Sequence, residues 1–241
     1  MSDSETPSRC GLIALVGKPN VGKSTLLNHL IGQKVSITSR KPQTTRQRLL
    51  GIKTSGKAQL VFVDTPGFHL GYDKALNRHM NKTISNTVTG VDLIVFMLDR
   101  LSISEEDEQL LATFKALPVP VFLIINKIDQ LEDKSKLLPF IDSVRSRFNF
   151  AEIVPVSALK EQNTLELENT LISYLPENDW LYPEDQLTDR NLRFLAAEFV
   201  REKITRQMGD ELPYEVAVEI EEFQFENGVC HVTALILVER D

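Results

Sequence analysis

A lysine and a serine in a glycine-spaced octapeptide are the residues of this chain best suited to bind phosphate. Residues 17–24 read GKPNVGKS, and they stand between an apolar run and a helix-like stretch. In that order, backbone amides and a helix N-terminus can face a phosphate. We expect Lys23 to bridge the β- and γ-phosphates of a nucleotide and the Ser24 hydroxyl to ligate Mg²⁺. The other nucleotide contacts expected from this loop are Gly17, Asn20, Val21, Gly22 and Thr25.

An acidic residue at the end of a second apolar run is the next group that could serve a bound nucleotide. Residues 60–63 are apolar, and residues 64–67 read DTPG. A carboxylate at the C-terminal end of a strand lies at the edge where phosphate loops also form, so Asp64 can hold Mg²⁺ through water. We assign Gly67 to the same site. The alternative for so short a motif is a simple turn.

The sequence NKID that begins at Asn126 distinguishes guanine from adenine. It follows the most apolar run of the chain. The Asp129 carboxylate can accept hydrogen bonds from guanine N1–H and N2–H₂, which adenine does not offer, and an unpaired buried carboxylate would be costly. Asn126 can fix the loop, and the Lys127 stem can lie over the ring. A backbone N–H of Ser157 or Ala158 could reach guanine O6. Together these residues predict a site for GTP or GDP with Mg²⁺.

The spaced motifs resemble those of the translation-factor-related P-loop GTPases, and in detail they resemble the Era-like ribosome-assembly GTPases. The closer resemblance covers residues 9–240 and rests on GKPNVGKS at 17–24, KPQTTR at 41–46, DTPG at 64–67, PED through TDR at 183–190 and ELPY at 211–214. It implies an enzyme that hydrolyses GTP to GDP and phosphate. It also implies that Thr45, or alternatively Thr44, is the switch threonine that contacts Mg²⁺ and the γ-phosphate.

One departure from better-known GTPases bears on catalysis. Phe68 follows Gly67 where those enzymes have a glutamine, and a phenyl ring cannot orient the attacking water. The expected catalytic residues are therefore Lys23, Thr45, Gly67 and Asn20. Asn20 matches the asparagine that helps hold K⁺ beside the phosphates in related potassium-activated GTPases. Alternatively, Asn20 only hydrogen-bonds within its own turn.

The composition indicates a cytoplasmic protein. The chain has 241 residues, a net charge of −7 and two cysteines too far apart in sequence to suggest a disulfide framework. Residues 1–9 are polar and lack the apolar core of a signal peptide, so we expect them to be disordered. No apolar run reaches the roughly 20 residues that span a bilayer. We expect a monomer with, at most, peripheral association with the inner membrane.

Apolar runs alternate with helical patterns over residues 10–176. This alternation predicts an α/β P-loop GTPase domain with a mixed, mostly parallel sheet between helices. Ser55-Gly56 predicts a hairpin turn, so the strand before it should run antiparallel to the rest. Ser104 and Asp107 have the spacing of an N-terminal helix cap, and Thr164 is expected to cap a later helix.

Residues 177–190 contain prolines and no periodicity, which predicts a linker that proteases cut before the GTPase domain. Beyond it, residues 191–207 have helical spacing, and two alternating strands flank Asn227-Gly228, a strong hairpin turn. A slip in the alternation at residues 221–222 indicates a bulge. Helix plus hairpin resembles the opening part of a type II KH domain, the RNA-binding module of the family. The alternative is an α+β appendage of other function.

The KH-like part, residues 191–241, lacks features that RNA binding needs. The chain contains no GxxG, the loop with which KH domains clamp an RNA backbone. Residues 186–241 carry twelve acidic and six basic side chains, a net −6 that is unfavourable for RNA. We expect an incomplete, partial KH-like domain from a longer RNA-binding GTPase. Its apolar residues Val216, Val218, Ile236 and Val238 should then be exposed or covered by a neighbour.

The resemblance implies a switch that times assembly of the small ribosomal subunit and maturation of 16S rRNA. Its partners would be ribosomal RNA and the small subunit, bound through a full-length KH domain. Two alternatives stay open. One is a GTPase of tRNA modification or large-subunit assembly, and the other is a nucleotide-gated RNA-binding chaperone whose hydrolysis is incidental.

Overall fold

A six-stranded sheet flanked by helices and a separate two-stranded hairpin form the regular structure of the chain. The computed structural model describes residues 7–38, 48–64, 90–207 and 216–238. The strands are β1 (Arg9–Gly17), β2 (Leu49–Ser55), β3 (Ala58–Asp64), β4 (Leu93–Leu98), β5 (Val121–Ile125), β6 (Glu152–Pro155), β7 (Val216–Glu226) and β8 (Val229–Val238). The helices are α1 (Lys23–Ile31), α2 (Glu105–Phe114), α3 (Leu137–Arg145), α4 (Thr164–Tyr174) and α5 (Leu192–Gln207), with short 3₁₀ turns at Ile128–Gln130 and Lys134–Lys136.

The large sheet has the order β2-β3-β1-β4-β5-β6. Strand β2 runs antiparallel to β3, and the other neighbours are parallel. Strands β3, β4 and β5 are buried along their whole length, as expected when helices cover both faces of a parallel sheet. Side chains of α2 and α3 join the apolar cluster on one face, and those of α1 and α4 join the cluster on the other. The predicted mixed, mostly parallel sheet between helices is confirmed, including its antiparallel strand.

The two predicted helix caps have different outcomes. Ser104 and Asp107 form the predicted capping arrangement at the start of α2. The prediction for α4 is wrong, because the capping position is Asn163, with a left-handed φ of 60°, and Thr164 is already the first helical residue. Asparagine tolerates the left-handed region better than threonine does. The Thr164 hydroxyl instead donates to the Glu161 carbonyl at 3.2 Å.

Residues 177–190 lie against the sheet and are bonded to it. The Ile52 amide of β2 donates to the Leu187 carbonyl at 2.8 Å. Gln59 of β3 is fully buried. Its Oε1 accepts from the Tyr182 amide at 3.0 Å, and its Nε2 donates to the Tyr182 carbonyl at 2.8 Å. Chain held by backbone and buried side-chain bonds is protected from proteases, which argues against the expectation that this segment is cut first.

The C-terminal hairpin has the predicted turn and bulge. Its strands are antiparallel with a register shift between Ile220 and Glu222, and the turn residues Asn227 and Gly228 have φ of 51° and 80°. Its apolar side chains are only partly covered: the exposed fractions are 47% for Ile236 and 45% for Val238, against 5% for Val216. The predicted exposure is confirmed at the first two. Val216 is covered rather than exposed, because it is buried where β7 meets α5 and the segment after α1, and Val218 is partly buried.

No described helix has the combination of length and apolar character needed to cross a bilayer. Cys10 is buried, Cys230 is exposed, and no disulfide joins these two residues.

Candidate nucleotide-binding site

The predicted nucleotide motifs come together at one edge of the sheet. Residues 17–24 extend from the end of β1 into α1, Asp64 ends β3, Asn126 follows β5, and Ser157 follows β6. These strands are mutually parallel, so their carboxyl ends share an edge, where open α/β sheets bind ligands.

Two glycines of the phosphate loop are fixed by close approach of neighbouring groups. Gly17 has a φ of 154°, and a Cβ there would lie 2.6 Å from the Met97 carbonyl oxygen. Gly22, with a φ of 104°, caps α1, and a Cβ there would lie 2.2 Å from Asn126 Nδ2. Any side chain at either position would force the loop off its neighbours. The loop therefore keeps its backbone and the N-terminus of α1 close to the base motif.

Lys23 is a buried cation inside this loop. Its Nζ donates to the Gly17 carbonyl at 2.9 Å and to the Lys18 carbonyl at 2.8 Å. Burial lowers the pKa of Lys23 to about 8, although the negative charge of Asp64 acts to raise it. A phosphate that arrives at the loop would give this desolvated ammonium group a counter-charge.

Asp64 and Ser24 form the oxygen pair expected for Mg²⁺. Asp64 is fully buried, and its Oδ2 accepts from the Ser24 hydroxyl at 3.0 Å. A carboxylate and a hydroxyl beside a phosphate loop are the hard oxygen donors that Mg²⁺ prefers. The residues present therefore fit the ion.

Sequence reasoning missed Ser36. Its buried hydroxyl donates to the same Asp64 oxygen at 2.9 Å. Asn28 of α1 fixes Ser36, because Asn28 Oδ1 accepts from the Ser36 amide at 2.9 Å and Asn28 Nδ2 donates to the Ser36 carbonyl at 2.7 Å. No local pattern indicates this serine, since its role arises only where the loop after α1 passes the end of β3.

Asn126 joins three loops of the site. Its buried side chain donates from Nδ2 to the Val21 carbonyl of the phosphate loop at 2.8 Å. Its Oδ1 accepts from the Ala158 amide at 3.0 Å. One side chain thus fixes the phosphate loop, the NKID segment and the loop after β6 relative to one another.

The carboxylate of Asp129 is oriented by Ser157. The Ser157 hydroxyl donates to Asp129 Oδ1 at 2.5 Å. The amide of Ser157 donates to the Gln162 carbonyl at 3.2 Å, and that of Ala158 is engaged by Asn126. A contact of either amide with guanine O6 would require that these bonds be shared or exchanged, and it stays a prediction.

The structure describes some of the remaining predicted site residues and not others. Lys127 has a left-handed φ of 61°, and its Nζ donates to Asp99 Oδ2 at 2.7 Å. Asn20 is exposed with a φ of 63°, and Thr25 is half-buried in the first turn of α1. Four other residues named above lie outside the described residues: Thr44, Thr45, Gly67 and Phe68.

Comparison with known proteins agrees with this geometry. Residues 12–127 match the family described as 50S ribosome-binding GTPase. The chain is 56% identical over 234 residues to GTPase Era of Marinobacter nauticus, covering 97% of this chain and 77% of that protein. The chain belongs to the GTPase Era family. Its fold and its GTP-hydrolysing activity are therefore those of a P-loop GTPase, and the resemblance seen in its motifs is confirmed.

Two solved structures also match the chain over its C-terminal part. A crystal structure of Era with MgGDPNP and nucleotides 1506–1542 of 16S ribosomal RNA matches with a TM-score of 0.87 and 41% identity, covering 97% of this chain and 80% of that one. An Aquifex aeolicus Era variant bound to GDP·AlF4⁻ matches with the same TM-score, identity and coverage. The β-rich C-terminal region of the Era-family chain is consistent with the Era KH domain.

Proposed function

We propose that this chain is a Mg²⁺-dependent GTPase switch that acts in assembly of the small ribosomal subunit. The observation that carries the nucleotide site is the position of Asn126, which bonds both to Val21 in the phosphate loop and to Ala158 in the loop after β6. A guanine nucleotide whose phosphates contact one loop and whose base contacts the others would bind along this junction.

Each residue has a role that its surroundings support. Lys23 binds the β- and γ-phosphates, because its buried ammonium group needs a counter-charge. Ser24 and Asp64 hold Mg²⁺, which neutralises charge on the phosphate oxygens when bound. Asp129, oriented by Ser157, accepts from the guanine N1–H and N2–H₂ groups. Lys127 lies over the base.

The solved structure of a relative supports ribosomal RNA as the partner. An Era protein that is 41% identical to this chain was solved with nucleotides 1506–1542 of 16S rRNA, which is RNA of the small subunit. The family description that mentions the 50S subunit covers only residues 12–127, the nucleotide-binding part. The comparison that reaches the C-terminal part therefore favours 16S rRNA over an RNA of the large subunit. A cytoplasmic location, peripheral membrane contact and a monomeric state stay predictions.

Co-sedimentation with purified ribosomal subunits tests this function. The protein with a full-length KH domain is mixed with 30S or with 50S subunits in the presence of a non-hydrolysable GTP analogue or GDP, and GTP turnover is measured in parallel. We expect GTP hydrolysis and a greater bound fraction on 30S subunits with the GTP analogue. The Lys23→Ala variant, which should not respond to nucleotide, is the control.

Other outcomes decide between the alternatives. Preferential binding to 50S subunits would favour a role in large-subunit assembly. RNA binding that responds to nucleotide and supports assembly without hydrolysis would favour the chaperone. No nucleotide-dependent difference on either subunit would contradict the proposal.

A further inference from the structure

The first turn of α2 is fixed by a buried carboxylate. Asp107 is fully buried, its amide donates to the Ser104 hydroxyl at 3.4 Å, and its Oδ2 accepts from the Ser104 amide at 2.9 Å. A reciprocal cap of this kind satisfies amides at a helix start and holds the first turn in place. The cap therefore restrains the backbone from which the other acidic side chains of this turn extend.

One of these side chains contacts the phosphate loop. Glu106, on the turn that Asp107 fixes, forms an ion pair with Lys18, and the two side chains are 21% and 20% exposed. Lys18 is the second residue of the phosphate loop, and its carbonyl accepts from Lys23 Nζ at 2.8 Å. The ion pair thus restrains the backbone that positions the phosphate-binding lysine.

The same turn is connected to the base motif through a row of alternating charges. Arg100 pairs with Asp107, and its Nη1 lies 3.5 Å from Asp99 Oδ1. Asp99 Oδ2 accepts from Lys127 Nζ at 2.7 Å. Each charge in the row contacts an opposite one, so the groups support one another. Lys127 is the residue expected to lie over guanine, and the row holds its ammonium group at the end of β4.

We propose that Glu106 and Asp99 are positioning residues for the guanine nucleotide. Glu106 acts through Lys18 on the phosphate half of the site, Asp99 acts through Lys127 on the base half, and the capped turn of α2 joins the two. Long side chains and loops lose conformational freedom when they bind a ligand, and ordering them beforehand reduces that cost. The alternative is that the partly exposed ion pairs Glu106–Lys18 and Asp99–Lys127 have no effect on nucleotide binding. The proposal rests on the nucleotide site described above.

Equilibrium binding of fluorescently labelled GDP to the full chain tests it. Binding by the parent protein tests the nucleotide site itself, and the variants then test the positioning. We expect Asp99→Asn and Glu106→Gln each to weaken GDP binding about two- to fivefold, the range for ion pairs of this exposure, with the melting temperature of the nucleotide-free protein unchanged. Asp99→Glu, which keeps a carboxylate, should recover part of the affinity.

A matched control comes from the same turn. Glu105 is exposed and makes no ion pair within the part of the chain that the structure describes. Glu105→Gln removes the same charge from the same helix start, so it reproduces any general effect of helix electrostatics. We expect it to bind GDP as the parent does.

Double-mutant cycles show whether each residue acts through its lysine. If Asp99 acts through Lys127, adding Asp99→Asn to Lys127→Ala should cause no further loss, and the same should hold for Glu106→Gln added to Lys18→Ala. Additive losses in both cycles would overturn the proposal. So would GDP affinities of Asp99→Asn and Glu106→Gln equal to that of Glu105→Gln.

Discussion

Thr38 donates two hydrogen bonds to the buried carboxylate of Glu202. The Thr38 amide and hydroxyl each lie 3.1 Å from Glu202 Oε1, and Arg206 Nη2 lies 2.9 Å from the same oxygen. Lys34 pairs with Oε2. Glu202 belongs to α5, whereas Thr38 directly precedes the segment that contains the predicted switch threonine. The helix that opens the C-terminal part is thus bonded to Thr38, at the end of the described loop that follows α1.

Removing the charge of Glu202 should destabilise the protein in a pH-dependent way. Burial tends to raise the pKa of Glu202, but the hydrogen bonds from Lys34 and Thr38 and the charges of Lys34 and Arg206 outweigh it, so the pKa is lowered. A carboxyl with a lowered pKa stabilises the fold above its unfolded-state pKa and loses this contribution as pH falls through its folded-state pKa. We expect Glu202→Gln to lower the free energy of unfolding by ~1–3 kcal/mol at neutral pH.

Denaturant unfolding at several pH values measures this effect. The difference between parent and Glu202→Gln should shrink as the solution becomes acidic. Glu166→Gln, the same change at an exposed position of α4, should have little effect at any pH. A Glu202→Gln loss that does not depend on pH would contradict the role of the charge.

Asp129→Asn should change base preference. An amide presents a donor where the carboxylate accepted, so it fits xanthine, which has an oxygen in place of the guanine amino group. We expect weaker GDP binding and a gain in XDP binding, both measured by calorimetry. Glu132→Gln, an exposed acid three residues further along, should leave both affinities unchanged. Retention of parental GDP affinity in Asp129→Asn would show that the base binds elsewhere.

Lys23→Met should weaken nucleotide binding with little effect on the stability of the nucleotide-free protein. Burial disfavours the charged form of Lys23 in the free protein, whereas Met cannot donate the hydrogen bonds that Nζ gives to the Gly17 and Lys18 carbonyls. These two effects oppose each other, so we expect the melting temperature without nucleotide to change little. The loss of a charge-assisted contact with the phosphates should cost several kcal/mol of GDP affinity. Thermal unfolding with and without GDP measures both. A parental GDP-induced shift in the variant would refute the role of Lys23.

Potassium dependence tests the role of Asn20. A K⁺ ion held near Asn20 could supply the positive charge that an arginine provides in other GTPases. The left-handed φ of 63° would strain an alanine but not a glycine, so Asn20→Gly removes the side chain with the backbone unstrained. We expect faster GTP turnover in potassium than in sodium at matched ionic strength, and loss of this stimulation in the variant. Equal parental rates in the two salts would exclude the ion.

The sequence alone determined the parts of the site that are encoded locally. Glycine spacing, an apolar run before each motif and a polar residue at each strand end suffice to predict the phosphate loop, Asp64 and the NKID segment. A parallel sheet brings such strand ends to one edge, so their meeting could also be predicted. The turn at Asn227-Gly228 and the cap at Ser104 were likewise predictable, because each depends on two neighbouring or nearly neighbouring residues.

Only the tertiary structure decided the contacts between residues distant in sequence. Ser36 reaches Asp64, Asp99 holds Lys127, and Gln59 binds the segment before α5. Ser36, Asp99 and Gln59 stand outside the predicted motifs, since each acts on a partner that folding brings near. The capping position of α4 is Asn163 and not Thr164 for a related reason, because the path of the chain into α4 requires a left-handed residue. Local spacing thus fixes which groups can bind the nucleotide, whereas packing between distant segments decides what holds those groups in place.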